Sequence, residues 1–419
     1  MEGHTHTHKV KQLEKHSPKH NKMVLGKQNI ETLSISGKDG YGVSKNQMTF
    51  EIRNAAALVP NTLKLKGVLK IGADKAATLC GAGVYSLIEQ VQIEYNGQSI
   101  LRLNNNAQYV ASINSLMKLS AEEYAMDEIT SLRGMELQTN TSYPFLIDLT
   151  RFGLDIESFL PTASSPLSIR ITLGQTAKAF FGTGVQGNQF TYSVDGVVLT
   201  GDYFQLSAPA VSMIEKAMTS STGSMYIFQA PITQQSNILP SETQDITVTM
   251  PYRNVVKTVH LPVPSSYTPN ASGISTGDVI SNLVFVAPDQ EYATNYLAGF
   301  IGGQYVNLNG TVGESTNVEH FMAAMKAARN SPYDKSYLAG FTELFKTGSY
   351  QPLVANFLKD EYNDTKVVDS GVNGINSSGN LNLKFNLQSA PGNGAKQLLT
   401  IGYVTTVMEV KNGVSSVTQ

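Results

Sequence analysis

The sequence predicts an all-β protein with short helices, folded as two tandem eight-stranded jelly rolls. Three observations lead there: composition, the spacing of apolar residues, and an internal repeat. Of 419 residues only 15% are charged, while 35 are Gly and 16 are Pro. That composition suits short strands joined by many turns. The length exceeds one ordinary core and predicts two domains.

Strands of period two, or short apolar runs bounded by Gly, Pro, Asn or Asp, recur along the chain. MTFEIRN from Met48, TLKLKGVLKI from Thr62, LIEQVQIEY from Leu87 and VVLTGDYFQL from Val197 serve the first unit. DITVTMPY from Asp245, VVKTVHLPV from Val255, NLVFVAP from Asn282 and LLTIGYVTTVMEV from Leu398 serve the second. Asn96-Gly97 marks a tight hairpin, after which Val110, Ile113, Leu116 and Met117 change to helical spacing. Ser120 with Glu123 forms a capping box for a second short helix.

The same order of signals appears twice. Arg53-Asn54, Gly97-Gln98, Met117-Lys118, Ser120, Ser142-Tyr143 and the strand LSIRITL from Leu167 match features of the second half. Their counterparts are Arg253-Asn254, Gly303-Gln304, Met325-Lys326, Ser331, Ser349-Tyr350 and LNLKFNL from Leu381, at offsets of 200 to 214 residues. Six matches in one order define a repeat. About eight strands per copy with Greek-key returns is jelly-roll architecture. The expected division is an N-terminal arm (1–28), a first roll (29–208), a linker (209–224), a second roll (225–411) and a tail (412–419). Gly-, Ser- and Asn-rich stretches at 178–188, 265–278 and 363–380 read as long exposed loops.

Candidate chemistry is sparse. Cys80 is the only cysteine, which excludes an intrachain disulfide and a paired-cysteine zinc site; a buried, inert thiol is expected. GAGVYS from Gly81 lacks the third glycine of a dinucleotide fingerprint, and no Walker-type lysine, H-E-x-x-H or G-x-S-x-G occurs. His260 and His320 are the only histidines beyond the arm, and both read as structural or surface residues. Glu122-Glu123 falls in a helix's first turn, where carboxylates offset the dipole; Asp360-Glu361 lacks the ligand spacing of a calcium site. Five N-x-S/T triplets, starting at Asn140, Asn270, Asn309, Asn363 and Asn376, read as loop composition. No cofactor and no catalytic residue is expected. No secretory signal and no apolar run of about 18 residues is found, so a cytoplasm-made protein without a membrane-spanning helix is expected.

The arm stands apart. It holds Lys9, Lys11, Lys15, Lys19, Lys22 and Lys27 with five of the seven histidines, so it carries about +4 and the remainder about −6. It has too little apolar surface to fold alone. Three readings fit: a solvated tail, a contact with anionic lipid or packaged genome, or a metal site on the His-x-His-x-His run. A net charge of −2 gives no global field for nucleic acid, and no sequence-specific recognition is expected.

Two passages carry a family resemblance. VQIEYNGQSILRL from Val91 resembles the strand, Gly-Gln, strand and helix segment of the double jelly-roll major capsid proteins of large DNA viruses; Asn96-Gly97 stands where that family has Gly-Gly. PFLIDLTRFGLDIESFLPTASSPLSIRITL from Pro144 resembles their Pro-Leu, Phe, Leu-Pro and strand passage, with Leu160-Pro161 as the Leu-Pro. The compact chain suits the tailless, membrane-containing phage branch of this lineage. The resemblance implies a non-enzymatic shell protein. Three chains would form a pseudo-hexagonal homotrimer, and trimers would tile an icosahedral virion assembled in the host cytoplasm. Implied partners are neighbouring trimers, penton or minor capsid proteins, and an internal membrane or genome met by Lys9, Lys11, Lys15, Lys19 and Lys22 of the arm. A tandem β-sandwich spike protein that binds a receptor or carbohydrate is the alternative.

Overall fold

Among the described residues, sixteen strands in two sets of eight form the four principal sheets. In a computed structural model, the described residues are 24–31, most of 39–250, 254–264, 304–308, 311–315, 353–356, 375–376, 381–387 and 396–419. Roll 1 comprises β1 (Val24–Glu31), β2 (Gln47–Ile52), β3 (Ala57–Ile71), β4 (Ile88–Tyr95), β5 (Gln98–Leu103), β6 (Tyr143–Asp148), β7 (Leu167–Leu173) and β8 (Tyr192–Gln205). Roll 2 comprises β9 (Ser224–Ile238), β10 (Gln244–Met250), β11 (Asn254–Pro264), β12 (Gln304–Leu308), β13 (Thr311–Ser315), β14 (Leu353–Asn356), β15 (Leu381–Leu387) and β16 (Lys396–Lys411). A further strand, β17 (Val414–Thr418), folds back on β16.

The two principal sheets of roll 1 run β1-β8-β3-β6 and β2-β7-β4-β5, and a small third sheet joins Ala77–Leu79 to Glu136–Leu137 and Phe180–Phe181. Those of roll 2 run β9-β16-β11-β14 and β10-β15-β12-β13. Adding eight to each strand number of the first roll gives the second, so the repeat read from dipeptides is a repeat of topology. All pairings are antiparallel, as Greek-key returns require.

Alternation explains the strands. Along β3, Leu63, Leu65, Leu69 and Ile71 are buried, while Lys64 and Lys70 are exposed. The inward position between them is Gly67, because a Cβ there would stand 2.9 Å from the Phe145 ring of β6. Val91, Ile93 and Tyr95 of β4 meet Ile171, Ile169 and Leu167 of β7 in register, all without exposed surface. Asn96 and Gly97 both take positive φ (50° and 76°), as a two-residue primed turn demands.

Among the described residues three α-helices join these strands: α1 (Ala107–Lys118), α2 (Ala121–Thr130) and α3 (Ala208–Thr219). α1 and α2 fall where the changed spacing and the capping box put them, and Glu122 and Glu123 lie in the first turn of α2. α3 begins the expected linker.

The structure alters three expectations. Residues 24–28, assigned to the arm, belong to β1, which pairs with β8 along its whole length. Most of the tail is β17, paired with β16. Gly303-Gln304 leads into β12, the counterpart of β4, so it is not the partner of Gly97-Gln98, which opens β5. The true counterpart separates Leu308 from its cross-strand partner Thr311 and again reads Asn-Gly, Asn309-Gly310. Cys80, Ser120, His320, Asp360-Glu361, NLVFVAP and the 265–278 loop lie outside the described residues.

Candidate functional site: the seam between the rolls

The two rolls are joined through one continuous buried cluster that includes Leu101, Val110 and Ile113 of the first and Tyr226, Phe228 and Tyr403 of the second. Apolar burial is non-directional, so orientation has to come from the polar groups embedded in it.

Three asparagines of roll 1 reach across. Asn114 on α1 is fully buried. Its Nδ2 donates to the Arg151 carbonyl at 2.8 Å, and its Oδ1 accepts from the Tyr403 hydroxyl of β16 at 2.8 Å. Asn106, at the α1 N-cap, makes no side-chain cap bond; its Oδ1 accepts from Gln235 Nε2 of β9 at 3.0 Å. The cap residue serves the seam instead of the helix. Asn96 donates from Nδ2 to the Gly413 carbonyl and to Ser415 Oγ, each at 3.2 Å.

Packing is equally specific. Gly153 has φ of 105°, and a Cβ at this position would overlap the Pro231 ring of β9. Tyr95 of β4 and Tyr226 of β9 titrate as neighbours. Burial pushes Tyr226 up to about 12; burial and then the nearby Tyr226 hold Tyr95 higher still. Tyr95 donates to the Pro161 carbonyl at 2.7 Å.

A second buried polar cluster braces roll 1. Tyr85 donates to Asp127 Oδ1 of α2 at 2.9 Å and accepts from the Asp148 backbone N–H at 2.9 Å. Arg133 Nη2 pairs with Asp127 Oδ2 at 2.7 Å, and the Arg133 guanidinium lies 4.4 Å from the centre of the Tyr124 ring. Arg151 stands 4.0 Å from both Asp127 and Asp148. Burial first, then the Asp127 charge, holds the Tyr85 hydroxyl well above its usual range. Two carboxylates and two guanidiniums balance around a neutral phenol, an arrangement suited to pinning α2 beside β6. Among the described residues no group of three or more His, Cys, Asp or Glu is placed to hold a metal ion.

Lys9, Lys11, Lys15, Lys19 and Lys22 lie outside the described residues. His260 falls in β11, opposite Leu353 and Thr400. The sequence carries no signal for Asn106, Asn114 or Gln235 at the seam, because their partners in the other roll are more than 100 residues away and single polar residues carry no period. The positive-φ Asn-Gly pair was the one legible signal at this seam.

No protein-family model matches the sequence. No curated protein matches it. Solved structures do match. VP54 of PBCV-1, in a crystal structure fitted into a reconstruction of the virophage Sputnik, superposes with a TM-score of 0.61 at 11% identity, covering 94% of this chain and 97% of that one. The PBCV-1 capsid in a quasi-atomic model gives 0.61 at 12% identity with the same coverage. The Faustovirus major capsid protein gives 0.53 at 9% identity, covering 93% of this chain and 90% of that one. The likeness is one of fold and spans both rolls: this chain is a double jelly roll of the architecture found in these viral capsid proteins.

Proposed function

We propose that this chain is the major capsid protein of a tailless, membrane-containing icosahedral virus or phage, a structural and non-enzymatic component of the virion. The observation that carries the reading is the repeated strand order, held by a specific seam and shared over nearly the full length with capsid proteins. Two similar rolls per chain give six similar lobes in a homotrimer, and a ring of that outline packs edge to edge in a shell. That full-length likeness favours the capsid over the spike. Neighbouring trimers, penton and minor capsid proteins are the further partners of such a shell, which assembles in the host cytoplasm.

The arm leaves from β1, the outer strand of its sheet, and is proposed to face inward. There Lys9, Lys11, Lys15, Lys19 and Lys22 meet anionic headgroups or packaged genome, each contributing about 1 kcal/mol near an anionic membrane. Imaging of the purified chain tests the reading: pseudo-hexagonal particles with six lobes are expected, and isolated two-lobed particles at all concentrations contradict it. Replacing the five lysines by Gln is expected to abolish retention on anionic vesicles or on nucleic acid, whichever the native chain binds, without changing the six-lobed outline.

A further inference from the structure

We propose that the β16–β17 hairpin is a latch that sets the angle between the two rolls, with Asn96 and Ser415 as its positioning residues. Two other parts of the chain converge on the hairpin's two-residue turn, Asn412-Gly413 (φ 53° and 73°). From the linker, the carbonyls of Met218 and Ser220 at the end of α3 accept from Gly413 N (3.0 Å) and Asn412 N (3.1 Å). From roll 1, the Asn96 side chain donates to the Gly413 carbonyl and to Ser415 Oγ. Gly413 thus gives its N–H to the linker and its carbonyl to the first roll, while β17 is zipped onto β16 of the second.

The surroundings make this junction decisive. Met218 is the buried residue of α3, and Met213 at 72% exposure points away. The helix is therefore docked at its C-terminal end, where the hairpin satisfies carbonyls that no further turn of helix can reach. The linker then passes Gly223, which has φ of 71° and no room for a Cβ against the Val410 carbonyl. Ser415 is buried and Asn96 half-buried, so their bond is partly shielded from water, and losing it leaves the Ser415 hydroxyl short of a partner. A primed Asn-Gly turn on each side gives two rigid contact points in place of mobile loops. The two rolls could not rotate about the linker without breaking the Asn96 bonds and the Met218 and Ser220 bonds together.

The effect on shell assembly rests on the capsid reading; the latch itself does not, and its test uses the full chain in solution. Asn96→Gly is the informative change, because glycine keeps the positive-φ turn and removes only the side-chain donor. Trypsin cleavage after Lys216, exposed on α3, reports opening of the linker, and hydrogen exchange in β4 and β7 reports the integrity of roll 1. Asn96→Gly and Ser415→Ala are each expected to speed cleavage about tenfold, as loss of one or two such bonds implies, with exchange in β4 and β7 unchanged. Combining them should add little, since they remove a shared bond. Cleavage at the native rate in both variants overturns the latch. So does faster cleavage accompanied by equal loss of protection throughout β4 and β7, which would mark general destabilisation. A monomeric native chain showing the expected cleavage pattern would reject the capsomer and leave the latch standing.

Discussion

At the scale of single residues, the seam and the brace tolerate few substitutions. Gly153 combines a left-handed φ with contact against the Pro231 ring, so Gly153→Ala forces both backbone strain and overpacking. A loss of about 2–4 kcal/mol in denaturant unfolding is expected, with smaller loss for Gly97→Ala, whose Cβ would meet open space. Asp127 is the shared acceptor of Tyr85 and Arg133. Asp127→Ala leaves a buried guanidinium unpaired and should cost about 3–5 kcal/mol. The tyrosines give a pH signature. Tyr226 has its pKa raised from about 10 in the unfolded chain to about 12 by burial, so its contribution is complete below pH 10 and is lost as pH rises from 10 through 12. The urea midpoint should fall over that window, and Tyr226→Phe should make the fall shallower. An unchanged midpoint up to pH 12 would contradict the burial of these phenols.

At the scale of elements, strands with a clean period were legible and those without were not. TLKLKGVLKI and LSIRITL announce β3 and β7 by alternation, and LNLKFNL announces β15. β1 was hidden because VLGKQNIE is short of apolar residues and adjoins a charged segment; tertiary pairing with β8, not its own pattern, makes it a strand. β17, VSSVT, was read as a tail because small residues carry little signal until β16 pairs with them. Gln304 opens β12 whereas Gln98 opens β5, so the shared Gly-Gln dipeptide does not mark the same place in the two rolls; the turn between paired strands does. Truncation separates arm from strand. A chain lacking residues 1–23 is expected to stay folded and to keep its native mass while losing attachment to lipid or genome. Removing residues 1–31 also strips β1, bares the edge of β8 and should cause aggregation. Equal solubility of the two truncations in sedimentation would contradict the placement of β1.

At the scale of the whole molecule, the pattern of two alike halves was visible in the sequence, whereas their mutual orientation was not. Repeats leave their trace in turn residues and strand periods. An interface between repeats leaves only scattered asparagines, a glycine and a few tyrosines, none of which repeats. That orientation matters for the proposed homotrimer, because a closed ring of three chains needs each junction between rolls, within and between chains, to turn by a similar angle. The native mass of the purified chain at moderate salt tests the central claim most directly. A single species of three 45.3 kDa chains, stable on dilution, is the predicted result; a monomer that persists at all concentrations would contradict the account of this protein as a capsomer subunit.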